Sequence, residues 1–147
     1  MFNIGKEISF TIFGEPVAQG RPRAGRTKTG HTILYDPKKS RDFKNYVRLV
    51  ASQHKPDKLI DCEIELIADI YRSIPKSMPK YKREKAQNGL MRPITKPDID
   101  NYIKSIKDGL SGVIWADDKQ VVSMTVRKWY SDTPRVEVKI IPIGGDG

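Results

Sequence analysis

One cysteine, Cys62, and two histidines, His31 and His54, are all that the 147 residues offer for thiol or imidazole chemistry. A lone cysteine excludes an internal disulfide and a cysteine-based zinc site within one chain, which points to a reducing cytoplasm. His31 falls in a basic stretch and His54 at a helix end, so neither a histidine-based nuclease nor a histidine-activated serine or cysteine finds support. Long apolar runs are missing too, since none approaches the ~20 residues of a membrane span. The segment Met1 to Lys6 has no signal-type apolar core. A soluble, cytoplasmic protein with no membrane partner is the expectation. Acidic residues are the minority charge, eighteen against twenty-seven Lys and Arg, so the formal charge is +9 and nucleic acid leads the partner classes. A ribosomal or membrane-surface protein would share that balance. The length fits a single domain, residues 1–147, with room for a proper core.

Residues 7–13 alternate, with Ile8, Phe10 and Ile12 on one side, and predict a half-buried strand. Arg21, Arg23, Arg26 and Lys28, set among glycines and prolines, predict a basic arm or hairpin over 19–35. Asp36-Pro37 opens a helix to about His54, with Ser40 as an alternative cap and Phe43, Tyr46, Val47 and Val50 expected on the core. Residues 61–71 alternate Cys62, Ile64, Leu66, Ala68 and Ile70 against Glu63, Glu65 and Asp69, the pattern of a central or near-central strand. Residues 72–96 carry eight basic side chains against Glu84, and Lys80 to Asn88 within them suit a short helix ended by Gly89. A helix begins at Asp98 or Asp100, with Ile99, Ile103, Ile106 and Leu110 as its apolar stripe and Gly112 as its stop. Val121 to Tyr130 and the alternating Val136, Val138 and Ile140 predict two strands joined as a hairpin through Pro134. Strands and helices follow no regular βαβ order, so the expected class is α+β, a mixed or antiparallel sheet with two main helices packed on it.

Against the basic background, one run is acidic. Asp98 and Asp100 lie two residues apart at a helix entrance and can point to the same side, and Asp100 can serve as the cap. Lys104 sits one turn beyond Asp100 on the same face. A helix to Leu110 carries the chain roughly 15 Å away, and the eight residues back to Asp118 can span up to about 26 Å, so Asp118 can rejoin the others. Hard oxygen ligands without Cys or His suit Mg²⁺, with Mn²⁺ as an alternative, and hence phosphoryl chemistry in which Lys104 offsets charge at the phosphate. Each piece has a plain alternative: Asp100 with Lys104 as a solvated pair, Asp117-Asp118 as a turn, and the basic segments as solubilising surface.

Lys96-Pro-Asp-Ile-Asp-Asn-Tyr-Ile-Lys104, then Asp108-Gly-Leu-Ser-Gly112 and Asp117-Asp-Lys-Gln-Val121, closely resembles the signature of the RusA-type Holliday junction resolvases, a family frequent in bacterial prophages. Pro16 to Arg23 and Ile74-Pro-Lys-Ser resemble its flanking regions more loosely. The resemblance implies a RusA-like homodimer that binds four-way DNA junctions and nicks two strands symmetrically with Mg²⁺, in recombination and repair. It implies metal-binding aspartates at Asp98, Asp100 and Asp118 and an essential lysine at Lys104, with Asn101 and Asp117 in supporting positions. Arg21, Arg23, Arg26, Lys28, Lys76, Lys80, Lys82, Arg83 and Lys96 are the expected phosphate contacts, holding DNA by charge without reading bases. The apolar faces around Trp115 and Val121 to Tyr130 are candidates for the dimer interface. The alternative is a non-catalytic basic DNA-binding accessory protein whose carboxylates are structural.

Overall fold

The strongest alternation in the sequence becomes the interior of the sheet. In the computed structural model, which describes residues 6–144, the strand β4 (Ile64–Ser73) buries Ile64, Leu66, Ala68 and Ile70 completely. The chain forms β1 (Ile8–Phe13), β2 (Arg23–Arg26), β3 (Thr32–Tyr35), α1 (Lys38–Ser52), β4, α2 (Lys80–Gln87), α3 (Ile99–Leu110), a single 3₁₀ turn Asp118–Gln120, β5 (Val121–Ser131) and β6 (Arg135–Pro142). It is α+β, with a mixed four-stranded sheet in the order β1-β6-β4-β5 and a separate β2-β3 hairpin that forms the basic arm. No helix among the described residues is long and apolar enough to cross a membrane. Residues Met1 to Gly5, the greater part of the segment read as lacking a signal-type core, lie outside the described residues.

The expected hairpin of the last two strands does not form. β6 pairs antiparallel with β1 and β4, while β5 pairs parallel with β4 on its other edge. Residues 132–134 carry the chain around the end of β4, so Ser131 lies beside Ser73 and Arg135 beside Tyr71. A strand this deeply buried must pair its N–H and C=O groups on both edges. β4 meets that requirement by separating two strands that look, locally, made for each other.

One face of the sheet carries α1 and α3. Phe43, Val47 and Ala51 of α1 and Tyr102, Ile103, Ile106 and Leu110 of α3 join Phe10, Ile12, Leu66, Ile70 and Val138 in one core. Two expected core residues are exposed: Tyr46, which lies off the i, i+4 row of Phe43, Val47 and Ala51, and Ile99, in the first turn of α3 before that helix reaches the core. Ser40 does not cap α1; its hydroxyl accepts from Gly20 N (2.8 Å) and donates to Ala18 O (3.3 Å), which fastens the 18–20 segment to the helix. Ser105 Oγ on α3 donates to Val17 O (2.7 Å), and Gln19 N donates to Asn101 O (2.9 Å). The strap before the basic arm is thus tied across both helices.

The two helices touch closely at Gly109, where a Cβ would lie 2.6 Å from Val47 Cγ1 and 3.0 Å from Lys44 O. Beside this contact Lys44 Nζ bridges Asp36 (2.7 Å) and Asp108 (3.0 Å). Burial works against the Lys44 charge, but the two carboxylates outweigh it and hold its pKa above the usual lysine value. The Lys44 ammonium, in turn, keeps Asp36 below the usual carboxylate range.

Candidate active site

Asp98 occupies the N-cap of α3, yet its side chain makes no capping bond. An N-cap aspartate ordinarily accepts from the second or third backbone N–H of its helix. Here the helix start is held instead by the Asp98 carbonyl, which accepts from Asn101 N and Tyr102 N (3.2 Å each), and the carboxylate is left uncommitted. Asp100 sits in the first turn rather than at the cap, and Lys104 follows one turn later; both are exposed.

The return from α3 is built by small, specific bonds. Gly112, with φ +81°, reverses the chain, and Gly112 N donates to Trp115 O (2.7 Å). Only glycine adopts that left-handed conformation at little cost. Trp115 is fully buried, and its Nε1 donates to Asp118 Oδ1 at 2.9 Å. Its burial also removes it from any interface between copies. Asp117 has a different task from its neighbour: its Oδ1 accepts from Lys119 N (2.9 Å), while Gln120 Oε1 accepts from Asp117 N (2.8 Å), a capping box on the 3₁₀ turn. Gln120 Nε2 also donates to Ile60 O and Cys62 O, which anchors the turn to the chain entering β4. Asp117 therefore shapes the turn, and Asp118 is the carboxylate that the turn presents.

Asp100, Lys104 and Asp118 meet on one open cleft of about 350 Å³, together with Ile103, Lys107 and Asp108. Asp98 lines a neighbouring groove of about 900 Å³ with Arg21, Arg23, Arg72, Lys96 and Asn101. A third cavity joins the two, sharing Lys104 and Asp108 with the cleft and Arg21 and Asn101 with the groove. Asp108 is held by Lys44, whereas Asp98, Asp100, Lys104 and Asp118 take part in no ion pair among the described residues. Also among the described residues, no three Asp, Glu, His or Cys side chains come close enough to hold a metal ion together. The donor set nonetheless fits Mg²⁺, which binds through one or two carboxylates and completes its shell with water and substrate phosphate. Asp100 and Asp118 are the two carboxylates on the cleft that no lysine or arginine pairs with among the described residues.

The α+β fold is consistent with a relationship that covers almost the whole chain: the model of the family Endodeoxyribonuclease RusA matches residues 14–141. The chain belongs to the RusA endodeoxyribonuclease family. It is similar to the uncharacterized protein YqaN of Bacillus subtilis (strain 168), 53% identical over 135 residues, which span 90% of this chain and 94% of that protein.

For a RusA-family chain, the basic residues singled out in the sequence fall into two groups. Arg21, Arg23 and Lys96 line the groove beside Asp98. Arg26 and Lys28 belong to the hairpin arm, and Lys76, Lys80, Lys82 and Arg83 to α2 and the loop before it; none of these six lines the three cavities. Arg83 Nη1 is already bound to Pro75 O (2.7 Å). Sequence reasoning missed Trp115 as the partner of Asp118, Gln120 as the anchor of its turn, and Arg72 as a groove residue. For Gln120 a signal was present, since Asp117-x-x-Gln120 has the spacing of a capping box.

Proposed function

We propose that this RusA-family chain is a Mg²⁺-dependent, structure-selective endodeoxyribonuclease that resolves four-way DNA junctions by paired symmetric nicks, in cytoplasmic recombination and repair. The observation that carries this reading is the cleft itself: Asp100, Lys104 and Asp118, eighteen residues apart at the extremes, face one opening in a protein of charge +9. Carboxylates uncommitted to cations are out of keeping with a polyanion-binding surface unless a divalent cation reverses their sign.

Asp100 and Asp118 would hold the metal, Mn²⁺ as well as Mg²⁺, with Asp98 at the adjoining rim. When bound, the ion supplies Lewis-acid stabilisation of the phosphate and a water of lowered pKa. Lys104, between the cleft and the joining cavity, is the cation that holds the scissile phosphate and offsets charge on the departing oxygen. Asn101 lies where the joining cavity opens into the groove, beside the phosphate path. Arg21, Arg23 and Lys96 carry the flanking phosphates along the groove, while Arg26, Lys28, Lys76, Lys80, Lys82 and Arg83 add charge further out. Two cuts related by a two-fold axis call for two such clefts, which a C2 homodimer provides.

The test is a labelled four-way junction and a matched duplex, each with Mg²⁺ and with EDTA. Symmetric nicks in the junction alone, dependent on Mg²⁺, are expected. Binding of the junction with no nicks in Mg²⁺ or Mn²⁺ would instead identify a DNA-binding accessory protein with structural carboxylates, a role that Asp117 already plays in its own turn.

Trp115→Phe offers a second check. The smaller ring keeps the core apolar but removes the N–H that fixes Asp118, so cleavage should fall about 10- to 100-fold, the usual cost of losing a group that orients a ligand. Junction binding, measured by gel shift, should be unaffected. Unchanged cleavage by a folded Trp115→Phe protein would show that the bond does not orient Asp118 for the reaction.

A further inference from the structure

β5 presents Val122, Met124, Val126, Lys128 and Tyr130 on one face, and through Val126 and Lys128 it pairs with Ala68 and Ile70, the buried side of β4. A lysine thus stands where the alternation calls for an apolar side chain. Such a break in local pattern marks a site where some other requirement prevails. Lys128 forms no ion pair among the described residues. Its Nζ donates to two carbonyls, Thr95 O and Pro97 O, both at 3.0 Å. From the neighbouring strand, Arg72 Nη1 reaches the same residue, donating to Thr95 O and to Thr95 Oγ1 at 3.2 Å each. Two cations on adjacent strands therefore grip one short loop from beneath.

That loop is the lead-in to the site. Residues 88–98 contain no helix or strand, and they end at Asp98, whose carboxylate is uncommitted. Pro97 O, gripped by Lys128, belongs to the residue directly before it. We propose that Lys128, assisted by Arg72, is a positioning residue that fixes Lys96, Asp98 and the first turn of α3 against the DNA groove by holding the Thr95 and Pro97 carbonyls. The inference rests on the reading of Asp98 and Lys96 as site residues. Burial, and secondarily Arg72, lower the Lys128 pKa, while Asp98 partly opposes them, consistent with a cation held close to the site without a carboxylate partner.

The test compares Lys128→Met, of similar length but without a donor, with Lys128→Arg, in amide hydrogen exchange and in junction cleavage. In Lys128→Met, exchange at Asn101 and Tyr102, whose amides bond to Asp98 O, should rise about tenfold, while Ile106 in the middle of α3 is unchanged. The Mg²⁺ concentration for half-maximal cleavage should rise about tenfold, junction affinity should fall by no more than the loss of the one Lys96 phosphate contact, and Lys128→Arg should recover part of these effects. Unchanged exchange at Asn101 and Tyr102, or an equal rise throughout α3, would overturn the proposal. If Lys128→Met does not fold, Arg72→Met, which loosens the same Thr95 carbonyl, is read by the exchange criterion alone, because Arg72 itself lines the DNA groove. Should the wild-type protein cut no junction, the proposed function fails, and the exchange pattern still decides whether Lys128 positions the loop.

Discussion

In Asp100→Asn, cleavage of a four-way junction should fall by more than about a hundredfold, beyond the usual cost of losing a group that merely supports a ligand. The amide keeps the shape and one oxygen of the carboxylate and removes its charge, so the loss isolates the ability to hold a cation. Unfolding does not compete as an explanation. Asp100 is exposed in the first turn of α3, where an acid gains only about 0.3–1 kcal/mol from the helix dipole, so the variant should lose no more than that in stability. Junction binding should survive, because the phosphate contacts assigned to Arg21, Arg23 and Lys96 lie along the adjoining groove. Nicking and gel-shift assays on one preparation make the comparison. Equal loss of binding and cleavage would refute the division of roles, and undiminished cleavage would remove Asp100 from the reaction.

Gly109→Val should lower stability by more than about 3 kcal/mol, the upper range for overpacking a tight interior. Glycine within a helix costs up to about 1 kcal/mol relative to alanine, and less in the last turn, where Gly109 lies. Here that cost is accepted because α1 and α3 meet at this point, with a Cβ only 2.6 Å from Val47 Cγ1, 2.7 Å from Val47 Cβ and 3.0 Å from the Lys44 backbone oxygen. A carbonyl in a helix cannot step aside as a side chain tip can. Gly109→Ala should therefore still lose roughly 1–2 kcal/mol, overpacking exceeding the gain in helix propensity. Denaturant unfolding of the two variants measures both values. An alanine variant as stable as the wild type would mean that the helices are not in contact there. The point bears on function, since the same helix pair carries Lys44 against Asp108 and Asp100 toward Asp118.

Elements driven by their own periodicity were legible in the sequence. β4 announces itself by alternation, α1 and α3 by their apolar stripes, and Asp100 with Lys104 by one helical turn. Pairing decided by a third segment was not legible: β5 and β6 carry local hairpin signals that β4 overrides by coming between them. The two adjacent aspartates were only half distinguishable: the Asp117-x-x-Gln120 spacing marked one of them as a cap, whereas the Trp115 bond to Asp118 left no local trace. Asp98 and Asp100 looked equivalent in an extended lead-in. The start of α3 between them turns one toward the groove and the other toward the cleft. Lys128 left a trace, a charge in an apolar row, whose meaning required the loop above it.

The position of β6 carries a consequence for the making of this protein. Among the described residues β1 pairs in the sheet only with β6, Ile8 opposite Ile140 and Phe13 opposite Arg135, so β1 must wait for a strand synthesised more than 120 residues later. Pairings this distant along the chain are slow to close, and edges left open meanwhile invite association with other chains. Every residue of the cleft emerges before β6. A chain synthesised only as far as Asp118 therefore carries the proposed cleft residues on an incomplete sheet, which closes when β6 slots between β1 and β4.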